Sequence, residues 1–271
     1  MAHPRTCPVR VALLGLAVIG TGACNRTAPT AAKAPDPAVI TSGVAGVLQD
    51  EAGQPLGRAK VLACMSTVCF SGRTSADGRF SFPIDSPAAV VIKTEEDLSP
   101  NSRRAAAMMP VRLTEPRLVD VGAVHVPTLP EGRSIGPARS DPQTLEVGDG
   151  LELTLRRSAL TAPLGEVLDD VAARRLPATL VPRYPALAGE DVVAVYALHP
   201  FTTKSGAPIA VRVPSSLPTG TRVRFRTISE IDGSFSEPVT GRATGTFVAT
   251  DSSAGITRLT YLVISREGPA Q

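Results

Sequence analysis

Short runs of apolar or alternating residues recur between turn residues in the first half of the chain. Such runs, four to eight residues long and bounded by turns, are typical of strands in small antiparallel sandwiches. They predict strands at Val44–Leu48, Ala59–Ala63, Arg79–Phe82, Ala88–Lys93 and Leu118–Val126. The dipeptide Asp77-Gly78 predicts a hairpin turn, because glycine takes the positive φ that such turns require. We therefore expect a first β-sandwich domain over residues 40–127.

The second half repeats this pattern after a segment rich in Pro, Gly, Ser and Arg at 128–142, which we interpret as a linker. Gln143–Val147 and Leu151–Leu155 flank Asp149-Gly150, and this order predicts a hairpin. Further strands are expected at Val192–Leu198, Ile209–Val213, Thr221–Ile228 and Ile256–Ile264. Only Leu164–Arg175 has apolar residues at helical spacing, and it is either a short helix or an irregular insertion. A second β-sandwich over residues 143–267 follows.

The first 24 residues have a different pattern. Arg5 and Arg10 precede an apolar run, Val11–Ile19, which is followed by small residues up to Cys24. This order is typical of a secretory signal peptide, which we place at 1–23. The run is shorter than the roughly 20 residues that span a bilayer, so we expect export and no transmembrane helix.

The end of this signal, Thr21–Cys24, resembles the bacterial lipobox, although Thr21 stands where leucine is usual. The resemblance implies that Cys24 becomes the lipidated first residue of the mature protein, with acyl chains that contribute about 0.8 kcal/mol per buried methylene. Ordinary cleavage after Ala23 is the alternative. Residues 24–39 lack an apolar period, and Ala, Pro and Thr dominate them, so we expect a disordered tether. Asn25 after the cysteine resembles the sorting signal for the outer membrane.

Composition favours the same all-β class. The chain has 25 prolines and 23 glycines, and proline breaks helices but is tolerated in turns and at sheet edges. We therefore predict an all-β fold, with two small antiparallel β-sandwich domains after a signal peptide and a disordered tether.

Two segments of the first region carry a family resemblance. Gly46–Val61, followed by Thr74–Phe80, is similar to the carboxypeptidase regulatory-like domain of the transthyretin-like sandwiches. The shared order is a strand, a Gly-x-Pro-Leu turn, an Ala-x-Val strand and then Thr-x-x-Asp-Gly-x-Phe. The resemblance implies a non-catalytic spacer or binding module, and it does not imply peptidase activity.

The second region resembles the β-sandwich domain shared by ankyrins, netrin receptors and zonula occludens proteins. The segments that carry this resemblance are Asp149–Leu155, Ser158–Leu160, Tyr196–Phe201 and Ala207–Pro214. The chain departs from the family at 156–158, where Arg-Arg-Ser replaces the usual turn. The resemblance implies protein–protein interaction or mechanical linkage.

Two cysteines, Cys64 and Cys69, lie in the first region with four residues between them. If they flank a short hairpin loop, their Cα atoms come close enough for a disulfide, and export provides an oxidising compartment. So short a loop contributes only about 2 kcal/mol to stability. A metal or redox pair is the alternative, but no histidine is near and the two-residue gap of redox motifs is missing.

Candidate catalytic residues are few. His3 leaves with the signal, His125 shares a strand face with Val119 and Val121, and His199 precedes a proline in a loop. Neither a Gly-x-Ser-x-Gly nor a His-Glu-x-x-His motif is present. The acidic groups Glu95–Asp97 and Asp169-Asp170 are expected on solvated loops. The sequence thus predicts no catalytic residues, metal site or cofactor.

Charge narrows the range of partners. The chain has 28 basic and 25 acidic residues, and no electrostatic footprint for nucleic acid. The residues Arg222, Arg224 and Arg226 alternate along one strand, and we interpret them as an exposed sheet face or as charges that protect an edge. A patch for an anionic polymer is the alternative.

Together these features predict a lipid-anchored protein of the cell envelope with a non-catalytic binding or scaffold role. We expect it at the outer membrane, on the periplasmic face or the cell surface, with the membrane bound through the lipid anchor and an envelope protein or a glycan as partner. One alternative is a carbohydrate-binding accessory lipoprotein, for which Tyr184, Tyr196 and Tyr261 are few and strand-like. Another is a hydrolase with an unrecognised site.

Overall fold

The regular structure of the described residues is almost entirely β, which confirms the predicted fold class. The computed structural model describes residues 40–99, 102–137, 141–163, 166–181, 184 and 187–268. The predicted signal peptide, Cys24 and the predicted tether lie outside these residues. No helix among the described residues has the length and apolar character needed to cross a membrane.

The first region contains nine strands among its described residues. They are β1 Gly43–Asp50, β2 Lys60–Cys64, β3 Cys69–Arg73, β4 Arg79–Pro83, β5 Ala88–Thr94, β6 Asp97–Ser99, β7 Ser102–Arg104, β8 Met108–Leu113 and β9 Leu118–Val126. One sheet has the order β4-β1-β9 and another has the order β3-β2-β5-β8, while β6 and β7 form a separate hairpin. All these pairs are antiparallel except β1 with β9, which run parallel.

Alternation along the strands places a shared core between the two larger sheets. Phe80 and Phe82 point inward from β4, as the sequence predicts, while their neighbours on that strand are exposed. Val61 and Ala63 of β2 do the same from the opposite sheet. The first region is therefore a sandwich of a three-stranded and a four-stranded sheet.

The prediction of a hairpin at Asp77-Gly78 is wrong in one respect. The dipeptide does form a turn, and Gly78 has a φ of 77°. However, the strands that it connects, β3 and β4, belong to different sheets. The dipeptide determines only the local reversal of the chain. Which strands pair with each other depends on the side chains that each strand buries.

The second region is built from one large sheet. Its strands are β10 Arg133–Ser134, β11 Gln143–Gly148, β12 Leu151–Leu155, β13 Leu160–Thr161, β14 Asp170–Arg175, β15 Val192–His199, β16 Thr203–Pro214, β17 Arg222–Ile228, β18 Val239–Ala243, β19 Phe247–Thr250, β20 Ile256–Leu259 and β21 Tyr261–Arg266. The order is β10-β14-β15-β21-β17-β18-β19-β16-β12-β11, and both β13 and β20 also pair with β16. A short 3-10 helix, Arg157–Ala159, precedes β13.

This sheet curves until its two ends meet. The Gln143 Nε2 of β11 donates to the Ile135 carbonyl oxygen just after β10, at 2.9 Å. The Arg133 Nε of β10 donates to the Glu146 carbonyl oxygen of β11, at 3.2 Å. The second region is therefore sandwich-like, but its opposing faces belong to one continuous and nearly closed sheet that encloses a second core.

The helix considered for Leu164–Arg175 is not formed in its described part. Residues 164 and 165 lie outside the described residues, and Asp170–Arg175 is strand β14. Val171 and Ala173 face the second core, whereas Ala172 faces the first. A strand that is buried on both faces loses the alternation that identifies strands, so its apolar run imitates helical spacing.

The two regions share a core. The cluster inside the first sandwich also contains Ala172, Leu176, Val195, Tyr261 and Val263 from the second region. The segment interpreted as a linker contributes Leu129 to this cluster and Ile135 to the other. The described residues consequently belong to one compact unit.

Candidate functional site

The predicted disulfide is present. Cys64 ends β2 and Cys69 begins β3, so the two residues are direct partners across the hairpin, with their Cα atoms 4.0 Å apart. Val68 and Phe70 beside the bridge are 42% and 40% exposed. The disulfide therefore closes a hairpin tip that presents apolar side chains to solvent.

His199 occupies a different setting from the loop that the sequence predicts. It is the last residue of β15, opposite Ala172 of β14, and it is only 3% exposed. The apolar run before it, Val192–Leu198, carries the strand inward, because those residues are buried in the two cores. His199 is thus held at the junction of the two regions.

A carboxylate lies beside each ring nitrogen of His199. The Nδ1 atom is 2.9 Å from Oε2 of Glu96, and the Nε2 atom is 3.3 Å from Oδ1 of Asp170. The expectation of solvated acids is therefore wrong for these two positions. The Glu96 side chain is 9% exposed and that of Asp170 is partly buried, whereas Glu95 and Asp97 point to solvent.

This geometry fixes the protonation state of the ring. Carboxylate oxygens only accept hydrogen bonds, so both ring nitrogens must carry protons to satisfy them, and the imidazole is then a cation. Burial by itself would lower the pKa of His199, but the hydrogen bonds and charges of Glu96 and Asp170 outweigh it and raise the pKa above its usual value. His199 is therefore a buried imidazolium that donates to both acids.

Further charges and dipoles surround this group. Arg103 of β7 donates from Nη2 to Asp170 Oδ2 at 2.9 Å and from Nε to the Pro130 carbonyl oxygen at 3.1 Å. The backbone N–H of Phe201 donates to Glu96 Oε2 at 3.1 Å. We call Glu96, Arg103, Asp170 and His199 the junction cluster.

Glu166 adds a second acid near Glu96. Partial burial and the Glu96 charge raise the pKa of Glu166, while the charge of His199 opposes this effect. The other Glu96 oxygen, Oε1, is buried and has no hydrogen-bond partner among the described residues. Burial and the neighbouring negative charge thus favour the neutral form of the Glu166 carboxyl over its charged form.

The junction cluster connects the two regions. Glu96 and Arg103 come from the first region, whereas Asp170 and His199 come from the second. A ring that donates both protons to neighbouring acids has no lone pair for a substrate proton or a metal ion. The two acids also lie on opposite sides of the ring, and no group of metal ligands is found among the described residues. The arrangement is suited to holding the regions together.

Other polar contacts cross the same junction. Arg174 of β14 makes a bidentate pair with Glu51, at 2.8 and 3.0 Å. The Lys93 ammonium donates to the Glu230 carbonyl oxygen at 3.0 Å. These contacts lie beside the shared core, so charge pairing and apolar burial act at the same boundary.

A cleft of about 850 Å³ opens at the other end of β14 and β15 from His199. Its described lining includes Arg175, Leu176, Val181, Leu187 and Val193. Asp149, at its rim, accepts a hydrogen bond from the Arg175 backbone N–H at 2.7 Å. The cleft is mixed in character, with apolar walls and charged groups at the rim.

The three alternating arginines are paired. Arg222 and Arg224 contact Glu267 at 2.7 and 3.1 Å. Arg226 contacts Glu190 at 2.7 Å and lies over the Phe235 ring. Their strand, β17, lies between β18 and β21, so the edge-protecting interpretation is wrong. Because Arg222 and Arg224 share Glu267, these ion pairs offset most, but not all, of the positive charge of this sheet face.

The tyrosines considered for sugar binding, and His125, lie where they contribute to the fold. Tyr184, Tyr196 and Tyr261 are all buried, so none of their rings offers a sugar-stacking surface. His125 of β9 is half-buried, and its Nδ1 atom is 3.2 Å from the Asp50 carbonyl oxygen.

Sequence reasoning missed the junction cluster because its members come from distant segments. His199 and Glu96 are 103 residues apart, and only the fold brings them together. The available signal was a histidine at the end of a predicted apolar strand. No protein-family model and no curated protein matches the chain.

Proposed function

We propose that this is a lipid-anchored cell-envelope protein whose two β regions form a rigid, non-catalytic scaffold for binding another envelope protein. The observation that carries the proposal is the junction cluster. Acid–base catalysis needs a histidine that exchanges a proton with its substrate. His199 gives both of its protons to Glu96 and Asp170 instead. Its chemistry serves to fix one region on the other.

The family resemblance supports the same role for the first region. A sandwich of two antiparallel sheets is what the carboxypeptidase regulatory-like resemblance implies, and such modules act as spacers or binding units. The sheet orders of β1 to β9 agree with that architecture, apart from the parallel pairing of β1 with β9. In this proposal the second region supplies the partner-binding surface.

The sequence before the folded unit supports the lipid anchor in this proposal. Cys24 ends a signal-like segment, and Asn25–Pro37 is rich in Ala, Pro and Thr. In this proposal the lipid on Cys24 holds the protein at the outer membrane, and the segment up to residue 39 gives the folded unit reach. Several acyl chains provide stable attachment.

The anchor is tested by fractionation of cells that express the full chain with labelled palmitate. We expect the label on the protein and the protein in the membrane fraction after an alkaline wash. Cys24→Ser should lose both properties, while Cys7→Ser, a change within the signal itself, should keep both. Equal labelling of the two variants, or an unlabelled protein in the soluble fraction, would overturn the lipoprotein proposal.

The scaffold role is tested by photo-crosslinking in intact cells. A photoreactive side chain is placed at Arg175 in the cleft, and a control is placed at Ser252, an exposed residue of the turn between β19 and β20 that does not line the cleft. We expect a discrete adduct with one envelope protein from Arg175 and none from Ser252. Identical background from both positions contradicts a partner-binding role for the cleft. Hydrolysis of a substrate that depends on His199 contradicts the non-catalytic part.

A further inference from the structure

The strands of the first sandwich share a common end where β1 begins. Gly43 of β1 lies opposite Pro83, the last residue of β4, and opposite Leu118, the first residue of β9. The connection from β4 to β5, residues 84–87, and the connection from β8 to β9, residues 114–117, therefore lie at this end of the sandwich.

The tip of the β2–β3 hairpin, residues 65–68, lies at the same end. β5 starts there with Ala88, and the last residue of β2, Cys64, lies opposite Val91, only three residues along β5. Because β2 and β5 are antiparallel, β2 runs toward this end and its hairpin turns there. We call the hairpin residues 65–70, the two connections with Leu118, and residues 40–43 the entry end.

Hydrogen bonds fix the place where the chain enters the fold. The Ser42 Oγ donates to the Ile84 carbonyl oxygen at 2.6 Å, and the Gly43 N–H donates to the Arg117 carbonyl oxygen at 3.0 Å. Ser42 is buried by these contacts. The segment that precedes the folded unit is consequently attached at the entry end, between the two connections.

The entry end is rich in exposed apolar side chains. Six large apolar residues among those that the structure describes are at least 40% exposed, and three of them, Val68, Phe70 and Leu118, lie here. The hairpin tip at 65–68 carries no charged residue. Exposed apolar surface of this kind marks a contact with another protein or with a membrane.

We propose that the entry end rests on the lipid surface to which the chain is anchored. This inference rests on the proposed lipid on Cys24. About 16 residues separate Cys24 from Ile40, and a flexible segment of that length spans about 20–24 Å on average. The entry end is thus the part of the folded unit that the anchor holds nearest to lipid.

The anchor also explains why a modest apolar surface is sufficient. A tethered group meets its binding surface at a high effective concentration, so a contact that would be weak between separate molecules is largely formed. A protein partner has no such advantage at this end of the molecule. The location of the tether therefore favours lipid as the occupant of this surface.

Charge limits how deeply the entry end can lie. Its connections carry Asp85, Glu115 and Arg117, and the last two form an ion pair at 3.0 Å. Charged groups are costly in the hydrocarbon core but remain hydrated at the interface. We therefore place Val68, Phe70 and Leu118 at the depth of the headgroups. Without an excess of basic residues, the contact should depend little on salt.

This orientation directs the second region outward. β9 ends with Val126 at the other end of the sandwich, and the chain continues from there into the second region. Glu96 of the junction cluster follows the last residue of β5, Thr94, at that same end. The junction cluster consequently lies on the side of the first sandwich that is turned away from the membrane.

The test is fluorescence quenching by lipid in the full lipidated chain, reconstituted into vesicles of phosphatidylethanolamine and phosphatidylglycerol. A fluorescent side chain is placed at Thr67, in the hairpin tip, and a control is placed at Ala76, in the turn between β3 and β4 at the opposite end. Both positions are exposed. Lipids with brominated acyl chains should quench the label at Thr67 and not the label at Ala76, at low and at high salt.

A pair of substitutions tests the apolar contact itself. In the chain labelled at Thr67, Val68→Ser should lower the ratio of lipid-bound to free tips about fivefold, because the apolar surface is lost. Leu98→Ser is the matched control. Leu98 is 44% exposed, but it lies on β6 at the opposite end of the sandwich, so the quenching should not change. Urea denaturation checks that each variant is folded.

The outcomes separate this inference from the anchor. A vesicle-bound chain with no quenching at Thr67, equal quenching at Thr67 and Ala76, or equal effects of Val68→Ser and Leu98→Ser would overturn the lipid contact and leave the anchor intact. A chain that an alkaline wash removes from the vesicles would contradict the anchor, and the contact with it. In intact cells, a photoreactive side chain at Thr67 should join to lipid, and an adduct only with another protein would also overturn the inference.

Discussion

His199 offers the sharpest test of the junction cluster, through its substitution by glutamine. Glutamine is neutral and can donate to one of the two acids, so Glu96 or Asp170 loses its partner. Removal of one member of a buried ion pair costs about 3–5 kcal/mol, because the other charge is left buried. Asp170 still pairs with Arg103 and is partly exposed. We therefore expect the free energy of unfolding to fall by about 3 kcal/mol, at the lower end of this range.

The stability lost in His199→Gln should decrease as the pH rises. The pKa of His199 is raised in the folded chain above its usual value of 6.5. The folded state therefore binds the proton more tightly than the unfolded state does, and stability falls as the proton is lost. The contribution of His199 is complete below pH 6.5 and disappears as the pH rises through the raised folded value. The wild-type chain should approach the variant at high pH.

The assay is urea denaturation of both chains at a series of pH values from 6 to 9. His125→Gln serves as the matched control, since this histidine lies on β9, away from the junction cluster. We expect His199→Gln to be markedly less stable at pH 6, the difference to narrow toward pH 9, and His125→Gln to follow the wild type. A difference that stays constant over this range would refute the imidazolium assignment. No difference at pH 6 would refute the structural role.

Two other substitutions test one contact inside the first sandwich and one across the junction, by the same denaturation assay. Gly43 has a φ of 133°, and an added Cβ atom would lie 2.0 Å from the Phe82 carbonyl oxygen. Gly43→Ala should lower the free energy of unfolding by about 2 kcal/mol or more. Gly53→Ala should lower it much less, because the Cβ atom added there meets open space. Arg174→Ala breaks the half-exposed pair with Glu51 and should cost about 1 kcal/mol; an unchanged stability would contradict a contribution from that pair.

The sequence allows many strands to be predicted, either because one face is buried and the other is not, or, as in β15, because apolar residues follow one another without a break. In β17, Val223 and Phe225 are fully buried while the arginines between them reach the opposite face, as the alternation predicts. β14 was missed for the converse reason. Both of its faces are buried, one in each core, and the alternation disappears.

The pairing of strands and the assembly of the junction cluster depend on contacts between residues far apart in the sequence. The local pattern of apolar and polar residues does not reveal such contacts. The turn at Asp77-Gly78 is local and was predicted, but the sheets on either side of it were not. The disulfide was predictable because Cys64 and Cys69 are close in sequence. The contacts of His199 were not, because its acids come from two remote elements, and their burial follows only from the packing of the two regions.

The parallel pairing of β1 with β9 has a mechanical consequence. β1 is the first strand of the folded unit, and it lies between β4 and β9. A force that pulls on the chain before residue 43 along the strand direction acts across both ladders at once. The hydrogen bonds run across the direction of that force, perpendicular in the β1–β4 ladder and slanted in the β1–β9 ladder, so many of them bear the load at the same time. The fold is thus built to resist extension from its N-terminal side.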